Sequence, residues 1–513
     1  MSKPVPNDIK AILFDVGDTL VVAAAGHTPV GELTVTLRPQ VIEDLRALAK
    51  SGFRLGAVSD TAVMLEADLR SLLAPSGISA MLEVVVTSSD VGATKPNPTS
   101  LNTAISRLGL GPGEVLYVGD RMIDAEAAKA AGTYFAFIRD TVAETWERFA
   151  NPPFNTYLEI QESWKSCQDN HDQNEVELLA KTARNHVDSL AKPLGSLGRV
   201  EDLGVTLSLI ARQCPPPLPH PVAAAVFAAD HGVHAAGVTI WPQEVTVAMA
   251  ETMLSGRASI NAFAEAVDAT VAVINVGVAN GIPSQDETTP YLVRSGTRNL
   301  ALEAAMTLAE ATAAIEVGYQ VAQDLIASGA NCLVTGEMGI ANTTAAAAII
   351  AAFTGLGPAV VAGRGAGADD ATLARKIEAI QQGLNRHDLA TPNAPSAHPL
   401  ELLASLGGLE IAAMAGFIVA AAIQQKPVLI DGVIANAALL AAQALFPGVK
   451  QVAIAGHLST EPAATVALKQ LGLVPLLDLN LRLGEGTGAM LAVPLVRAAA
   501  LMMREVAAID ELG

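Results

Sequence analysis

The sequence predicts an α/β protein with two Rossmann-like, parallel-sheet domains. Of its 513 residues, 51% are hydrophobic but 4% are aromatic, a composition that suits small side chains packed between helices and sheets. In two stretches of the chain, short apolar runs that end in loops of Gly, Asp, Ser or Thr alternate with helical patterns. This alternation indicates buried parallel strands connected by helices. A chain of this length also usually folds into more than one domain, each with its own hydrophobic core.

The first stretch covers residues 10–140, and we place the first domain at 1–145. Helical patterns over 40–50 and 124–131 separate its apolar runs. The predicted strands of this domain are 11–14, 55–58, 83–87 and 115–118.

The second domain is placed at 186–513, after a polar segment at 146–185 that we interpret as a linker with helical segments. From 186 onward the strand–helix rhythm resumes in a more Ala-rich form. It has no repeat of 20–50 residues, which argues against a solenoid. The predicted strands are 222–228, 270–276, 332–334, 428–430 and 451–454.

Charge and composition narrow the class of protein. The formal net charge of −20 excludes a nucleic-acid partner, because a polyanion would be repelled. The longest apolar runs, such as 411–423, fall short of the roughly 18–20 residues that span a bilayer, so no membrane partner is expected. Three distant cysteines, Cys167, Cys214 and Cys332, suggest a reducing compartment. We therefore expect a soluble, cytoplasmic protein.

Four polar motifs follow the predicted strands of the first domain. Asp15 in "FDVGDTL" comes directly after the first strand, and the later motifs contain Ser59, Lys95, and Asp120 with Asp124. Each motif alone is more typical of a helix cap or a turn than of a catalytic site. Together they supply a carboxylate nucleophile, two donors for phosphate oxygens, and carboxylates for Mg²⁺, at the end of the sheet where ligands bind.

This motif set resembles that of the haloacid dehalogenase-like phosphohydrolase superfamily. The resemblance implies that Asp15 forms an aspartyl-phosphate and that Ser59 and Lys95 hold the phosphoryl group. It also implies an Mg²⁺ site formed by Asp15, Asp120 and Asp124.

The first domain departs from this family in two respects. The family's acid/base Asp, two residues after the nucleophile, is replaced by Gly17. Either Asp18 takes over that role, or the domain is slow or inactive. The intervals between Asp15, Ser59 and Lys95 are also too short for a sizeable cap domain, which predicts an open site.

In the second domain, "GEMGIANTTAAAA" at 336–348 predicts a strand that enters a Gly-containing loop and then an Ala-rich helix. Asn342, Thr343 and Thr344 are interpreted as caps of that helix. Its N-terminus is either an anion site or an ordinary cap, since both need free backbone N–H groups. Lys376 would add a positive charge beside such an anion.

A second unusual motif, "LRLGEGTGAML" at 481–491, places the carboxylate of Glu485 between Gly484 and Gly486, before apolar sequence. Such a charge either turns outward to solvent or performs chemistry. His231 and His234 have a spacing that would allow metal binding, but no third ligand pattern accompanies them. We therefore favour a structural or substrate-contact role for both histidines.

The motifs of residues 185–510 together resemble the nicotinate-nucleotide:dimethylbenzimidazole phosphoribosyltransferase family. The resemblance implies a Rossmann-like sheet with a small helical subdomain, a homodimer, and a reaction without a cofactor. Its substrates would be nicotinate mononucleotide and a benzimidazole-type base. The motifs that carry the resemblance include "KPLGSLGR" (192–199), "ADHGVHAAGVTIWPQEVT" (229–246), "GRGAGADDATLARK" (363–376), "DGVIANAA" (431–438) and "GHLSTEP" (456–462).

The same resemblance implies the roles of individual residues. Glu485 matches the general base, with Gly484 and Gly486 allowing close approach of the acceptor ring, and Glu337 would lie beside the ribose. Lys376 would hold the phosphate together with the loop at 336–344, whose contributing residues are Gly336, Gly339, Asn342, Thr343 and Thr344.

The acceptor site departs from the family pattern. Trp241 and Met249 stand where familiar members have a small polar residue and a Gln. The identity of the acceptor is therefore undecided: another benzimidazole, a purine or a phenol would also be compatible.

We interpret the whole chain as a bifunctional enzyme. The second domain would make α-ribazole 5′-phosphate, the lower-ligand nucleotide of cobalamin, and the first would remove the phosphate with Mg²⁺. Two alternatives concern the first domain, which is either a phosphatase of unrelated substrates or an inactive structural or interaction module. For the second domain the alternative is a nucleotide-binding regulator, against which Glu485 argues.

Overall fold

A computed structural model describes residues 9–22, 35–153, 155–169, 172–285, 291–386 and 398–512. The chain divides into two compact units. The first is formed by Met1–Pro153 with the short segment Thr307–Ala309, and the second by Phe154–Met306 and Glu310–Gly513. Most of the segment interpreted as a linker, 146–185, is helical and counted with the second unit.

The first unit is built on a five-stranded parallel sheet in the order β5-β4-β1-β6-β7, with β2 and β3 forming a separate antiparallel pair. Its strands are β1 (Ala11–Phe14), β2 (Val21–Val22), β3 (Thr36–Leu37), β4 (Arg54–Ser59), β5 (Val84–Thr87), β6 (Val115–Gly119) and β7 (Tyr134–Phe137). Its helices are α1 (Val41–Lys50), α2 (Glu66–Leu73), α3 (Ser88–Val91), α4 (Thr99–Leu108), α5 (Met122–Ala131) and α6 (Val142–Ala150).

Both faces of this sheet are buried. Successive residues of a strand point to opposite faces, and in β1 Ile12 and Phe14 join one apolar cluster while Ala11 and Leu13 join another. A strand that is apolar on both faces needs helices on both sides, which is the arrangement the continuous apolar runs predicted.

The second unit contains a second five-stranded parallel sheet, in the order β12-β11-β10-β8-β9. Its strands are β8 (Val222–Ala229), β9 (Ala269–Gly277), β10 (Cys332–Met338), β11 (Val428–Ile430) and β12 (Ala453–Ala455). The remaining helices are α7 (Tyr157–Asp169), α8 (Gln173–Ser189), α9 (Arg199–Ile210), α10 (Val245–Leu254), α11 (Ser259–Ala266), α12 (Leu308–Ala327), α13 (Asn342–Thr354), α14 (Pro358–Val361), α15 (Asp370–Asn385), α16 (Pro399–Leu406), α17 (Leu409–Ile423), α18 (Val433–Leu445), α19 (Pro462–Leu471) and α20 (Thr487–Glu505). Two parallel sheets covered by helices confirm the predicted α/β class.

Small residues allow the helices of the second unit to pack closely. A Cβ added to Gly318 of α12 would lie 1.7 Å from the carbonyl oxygen of Ala413, and one added to Gly416 of α17 would lie 1.9 Å from that of Ile315. The two helices therefore touch backbone to backbone, which explains why a low aromatic content accompanies a high apolar content.

Helices α8 and α20 contribute to a small apolar cluster that is separate from those of the first sheet. Ala183 and Val187 of α8 pack with Leu190, Met502 and Met503, the last two at the end of α20. By length and composition α20 would be able to cross a membrane, but 61% of its apolar window is buried inside the unit. This burial is what a core helix shows.

Candidate active sites

In the first unit, buried charged side chains meet at the carboxyl ends of the strands. The Lys95 ammonium lies 2.5 Å from Oδ1 of Asp15 and 2.6 Å from Oδ1 of Asp124. The hydroxyl of Tyr117 donates a 3.1 Å hydrogen bond to the same oxygen of Asp124. One lysine therefore bridges the predicted nucleophile and a predicted metal ligand.

The same site contains a cluster of carboxylates. Oxygens of Asp15, Asp120 and Asp124 all lie within 4.8 Å of one another. Burial raises the pKa of Asp15 to about 7, although the charge of Lys95 opposes the shift. Burial and the charge of Asp124 raise the pKa of Asp120 to about 6. Three crowded carboxylates are donors of the kind that Mg²⁺ prefers, so the residues present fit that ion.

The structure also places the other predicted residues of the first unit. Ser59 is buried at the end of β4. Asp18 is exposed, with a φ of 52°, and its carbonyl accepts a 2.5 Å hydrogen bond from Arg38. A Cβ added to Gly17 would meet no atom of the described residues within 4 Å. Residues 23–34, on which the expectation of a missing cap partly depends, lie outside the described residues.

In the second unit, a cavity opens at the carboxyl ends of the strands. The loops after β8, β10, β11 and β12 contribute to it, as ligand sites in open parallel sheets do. Among the residues that line it are Trp241, Glu337, Gly339, Asn342, Thr343, Arg364, Lys376, His457, Glu461, Arg482 and Gly484.

The start of α13 differs from the prediction. Its N-cap is Ala341, at φ 78° and without a side-chain cap, so the predicted capping role of the next three residues is wrong. The Asn342 amide instead donates to a carboxylate oxygen of Glu337. Thr343 Oγ1 accepts a 2.7 Å hydrogen bond from Lys376, and Thr344 Oγ1 is buried with no partner in the described part of the chain. Asn342 and Thr343 thus contact charged groups of the cavity, although residues of these types often cap helices.

Glu337 lies on a strand rather than in a loop. β10 extends to Met338, so the predicted strand 332–334 was too short, and Gly336 belongs to the strand as well. Burial, together with the charges of Asp431 and Glu410, raises the pKa of Glu337 to about 8. A rigid strand therefore holds this carboxyl group at the cavity.

Glu485 is held in an unusual backbone conformation. Its φ is 65°, and the flanking Gly484 and Gly486 have φ values of 83° and 90°. The residue is 3% exposed, and its Oε2 is buried without a hydrogen-bond partner among the described residues. Burial and the charge of Asp431 raise its pKa to about 7, against a hydrogen bond from the Ile260 backbone. A buried carboxylate oxygen without a partner is costly for stability.

Glycines bring Glu337 and Glu485 together. A Cβ on Gly484 would lie 2.2 Å from Oε1 of Glu337, and a Cβ on Gly336 would lie 2.7 Å from the carbonyl oxygen of Glu485. A Cβ on Gly339 would lie 2.4 Å from the carbonyl oxygen of Ala229. These glycines therefore allow protein segments to approach one another around the two acids.

Lys376 is buried at the same cavity. Besides Thr343, its ammonium contacts the carbonyl oxygen of Gly363 at 3.0 Å. Burial lowers its pKa to about 8, although the charge of Glu461 opposes the shift. An incompletely neutralised, buried ammonium is suited to an anionic ligand.

The two predicted acceptor-site residues are placed differently. Trp241 lines the cavity, and its indole N–H donates a 3.1 Å hydrogen bond to the carbonyl oxygen of Ala366. Met249 is half-buried on α10 and is absent from the described residues that line the cavity.

The two histidines have separate partners. His231 is buried 2.8 Å from Glu410, and the ring of His234 lies 2.9 Å from the carbonyl oxygen of Trp241. Among the described residues, neither belongs to the group of possible metal ligands, which is the acid cluster of the first unit.

Sequence reasoning missed Asp431 as a site residue. Its two carboxylate oxygens accept hydrogen bonds from the backbone N–H groups of Gly486, at 3.2 Å, and Ala489, at 2.9 Å. Nδ1 of His457 lies 3.4 Å from the oxygen that accepts from Ala489. A carboxylate at a helix N-terminus is electrostatically favourable, and here it fixes the turn that carries Glu485. Its signal was an Asp directly after an apolar strand, the pattern that identified Asp15.

Comparison with known proteins places both units. The model of a family described as "Phosphoribosyltransferase" matches residues 174–513, and that of "Haloacid dehalogenase-like hydrolase" matches residues 23–138. The nicotinate-nucleotide–dimethylbenzimidazole phosphoribosyltransferase of Salinispora tropica is 52% identical over 347 residues, which are 65% of this chain and 94% of that protein. The protein of the same name from Chloroflexus aggregans is 47% identical over 334 residues, 65% of this chain and 93% of that protein.

A solved structure agrees with this placement. The crystal structure of CobT from Thermus thermophilus is 43% identical, with a TM-score of 0.62, over 65% of this chain and 98% of that chain. The resemblance stated from the motifs is thereby confirmed. The chain belongs to the nicotinate-nucleotide–dimethylbenzimidazole phosphoribosyltransferase family and carries a haloacid dehalogenase-like domain before that region.

Proposed function

We propose that the second unit transfers ribose 5-phosphate from nicotinate mononucleotide to 5,6-dimethylbenzimidazole or a related base. The products would be α-ribazole 5′-phosphate and nicotinate, a step in the biosynthesis of the cobalamin lower ligand. The observation that carries this proposal is Glu485, a buried carboxylate with an unpartnered oxygen among the described residues and a pKa raised to about 7. Family membership supplies the substrate class.

The reaction needs one proton acceptor. A ring nitrogen of the acceptor attacks C1′ of the ribose, and the bond from C1′ to the pyridinium nitrogen breaks. The bonding electrons return to that nitrogen, so nicotinate leaves without protonation. The acceptor's other ring nitrogen loses its proton to Glu485. A carboxylate with a pKa of about 7 is partly ionised at neutral pH and is a stronger base than an ordinary Glu.

Glu337 would act on the ribose side. As the glycosidic bond breaks, positive charge develops on the ribose, and a carboxylate fixed beside it stabilises that charge. The pKa of Glu337 is raised to about 8, so the group is mostly neutral without ligand at neutral pH. The pyridinium charge of the donor favours the ionised form, because opposite charges lower a carboxyl pKa. Asn342 holds this carboxyl group in place.

The phosphate of the donor would bind in another part of the cavity, around the start of α13. Lys376 provides the ammonium, and Thr343 provides a hydroxyl within 2.7 Å of it. The N-terminus of a helix attracts an anion through its free N–H groups and dipole. A bound phosphate would in turn raise the pKa of Lys376 from its lowered value of about 8.

A direct assay tests the proposed transfer. The protein is incubated with nicotinate mononucleotide and, in separate reactions, with 5,6-dimethylbenzimidazole, adenine or a phenol, and the products are separated by chromatography and mass. We expect nicotinate and one ribotide in equal amounts with at least one acceptor. Absence of both products with every acceptor would overturn the proposal. Because Trp241 lines the cavity, a Trp241→Ser variant in the same panel shows whether its ring determines the choice of acceptor.

We further propose that the first unit removes the 5′-phosphate from α-ribazole 5′-phosphate. Asp15 would attack the phosphorus and form an aspartyl-phosphate as the bond to the ester oxygen breaks, and that oxygen would leave as the alcohol with a proton from Asp18 or water. Water would then attack the phosphorus, which releases phosphate and restores Asp15. Lys95, which contacts Asp15 at 2.5 Å, would hold the transferred group. When bound at Asp15, Asp120 and Asp124, Mg²⁺ would neutralise charge on the phosphoryl oxygens. The carrying observation is the convergence of these side chains at one end of the sheet.

Isolated α-ribazole 5′-phosphate with Mg²⁺ tests this step, with an Asp15→Asn variant as the control. Phosphate release by the native chain but not by the variant supports the proposal, and equal background release by both overturns it. Gly17 favours a second candidate, an inactive module, because the family's acid/base residue is absent at that position. Phosphate release from other esters, but not from α-ribazole 5′-phosphate, would identify an unrelated phosphatase.

We also propose that the protein works as a homodimer in the cytoplasm, as the family resemblance implies. Light scattering during size-exclusion chromatography tests the first part: a mass near twice 52.7 kDa supports a dimer, and a mass near 52.7 kDa contradicts it.

A further inference from the structure

Among the described residues that line the cavity of the second unit, three have Lys or Arg side chains: Arg364, Lys376 and Arg482. Two of them are engaged by the protein. Arg364 contacts the Asp370 carboxylate at 2.5 Å and the carbonyl oxygen of Ala368 at 2.9 Å, and Lys376 is held by Thr343 and a backbone carbonyl. Arg482 is exposed, and across the described residues its guanidinium has neither a hydrogen bond nor an ion pair.

The backbone around Arg482 is fixed on both sides. The carbonyl oxygen of Leu481 accepts a 3.1 Å hydrogen bond from the backbone N–H of Thr460. On the other side, Gly484 packs so closely on Glu337 that a Cβ there would lie 2.2 Å from its Oε1. Arg482 therefore projects from a rigid segment that leads directly to Glu485, with its charged group left for a ligand.

Because the cavity is acidic, the guanidinium of Arg482 indicates which kind of ligand group binds there. The chain carries a net charge of −20, and Glu337, Glu461 and Glu485 lie in or next to the cavity. Surrounding acids make it unfavourable to bind an anion unless cations are placed for it. Each free cation at the cavity therefore points to an anionic group of the ligand.

The proposed donor has two anionic groups. Its phosphate is matched by Lys376 and the start of α13, which leaves the carboxylate on its pyridine ring without a partner. A guanidinium binds a carboxylate through two parallel N–H···O bonds, and it does so better than an ammonium because its geometry matches the two oxygens. An amide at the same ring position would present one oxygen and an N–H₂ group, which the guanidinium would meet less well.

We propose that Arg482 binds the ring carboxylate of nicotinate mononucleotide and thereby selects this donor over nicotinamide mononucleotide. The inference rests on the proposed transferase function and names the residue that determines the donor. Arg482 would act in binding and in donor choice, while the proton transfer would remain with Glu485.

The test compares the two mononucleotides as donors for the native chain and for Arg482→Gln. Loss of a hydrogen-bonded charge pair predicts a fall of about tenfold to hundredfold in kcat/KM for nicotinate mononucleotide, with little change for nicotinamide mononucleotide. Arg482→Lys should recover part of the preference, because it keeps the charge but not the paired donors. Arg257→Gln, an exposed arginine that contacts Ser255 and does not line the cavity, is the matched control and should behave as the native chain.

Two results would overturn the inference. An equal loss for both donors would assign Arg482 to the phosphate or to the structure, and no loss for either donor would remove it from recognition. If the native chain fails to transfer at all, the proposed function has failed. Calorimetric binding of the two mononucleotides to the native chain and the variant then still decides whether Arg482 recognises the carboxylate.

Discussion

The backbone N–H of Glu485 donates a hydrogen bond to Oε1 of Glu337, with 3.4 Å between nitrogen and oxygen. The other oxygen of Glu337 accepts from Asn342. The turn that carries the proposed base is therefore tied to the acid proposed for the ribose side. The charge of Asp431 contributes to the raised pKa of both carboxyl groups, so the two acids share one electrostatic environment.

The pH dependence of transfer follows from the ionisation of Glu485, Glu337 and Lys376. Glu485 must be ionised to accept a proton, so kcat/KM should fall as the pH drops below its pKa of about 7. Lys376 must be charged to hold phosphate, so kcat/KM should also fall as the pH rises above its pKa of about 8. Glu337, whose pKa is raised to about 8, must also be ionised to stabilise the charge on the ribose. Initial rates across the pH range should therefore give a bell-shaped profile with a steep acid limb and an optimum near the pKa of Lys376, about 8. A rate that increases as the pH falls below 7 would contradict the assignment of Glu485.

Replacing Asp431 by Asn should move the acid limb of that profile. The negative charge of Asp431 raises the pKa of Glu485, so its removal should lower that pKa and shift the acid limb to lower pH. The Asn side chain accepts through one oxygen only, so one of the bonds from Gly486 and Ala489 is lost, at a cost of about 1–3 kcal/mol in unfolding free energy. The rate profile and urea denaturation measure the two effects. Asp510→Asn, on an exposed residue, should change neither.

A methyl group at Gly484 should displace Glu337. Gly484→Ala adds a Cβ 2.2 Å from Oε1 of Glu337, at a φ of 83°, so we expect at least a tenfold loss of kcat together with a loss of stability of about 1–2 kcal/mol from the backbone conformation. Gly355→Ala is the matched control, since its φ is 70° and its Cβ would meet no atom within 4 Å. The control should lose similar stability but keep its transfer rate. Native kinetics in Gly484→Ala would contradict the proposed position of Glu337.

Gly17→Asp should increase phosphatase activity in the first unit. Among the residues that the structure describes, a Cβ on Gly17 would meet no atom within 4 Å, so a side chain fits there. General acid/base catalysis typically contributes about 10²–10⁴-fold. Phosphate release from α-ribazole 5′-phosphate with Mg²⁺ measures the effect. The double variant Asp15→Asn/Gly17→Asp should be inactive. If Gly17→Asp has no effect while Asp18→Asn abolishes release, Asp18 already performs the acid/base role.

Much of the fold was predictable because buried parallel strands read as apolar runs that end abruptly. The strands at 11–14 and 428–430 were predicted with their observed bounds. β10 was predicted four residues too short, because Gly336 and Glu337 read as the start of a loop. Tertiary packing overrides that local signal: β10 pairs with β8 as far as Met338.

The site residues that belong to a sequence motif were predictable. Those that are brought together only by the fold were not. Asp15 was recognisable because it directly follows an apolar strand. Glu485 was recognisable because it lies between two glycines, before apolar sequence. The capping roles assigned to Asn342 and Thr343 were wrong. Asn342 donates to Glu337, and Thr343 accepts from Lys376, which lies 33 residues further along the chain. Asp431 directly follows an apolar strand, as Asp15 does, but the sequence does not show that its partners are backbone groups more than fifty positions away.

The central claim is that Glu485 accepts the acceptor's proton, and the single-turnover rate of transfer by Glu485→Gln tests it most directly. The variant keeps the size of the side chain but cannot act as a base at neutral pH. We expect the rate to fall by about 10²–10⁴-fold, while the dissociation constant for nicotinate mononucleotide stays near that of the native chain. Transfer at the native rate by Glu485→Gln would contradict the account.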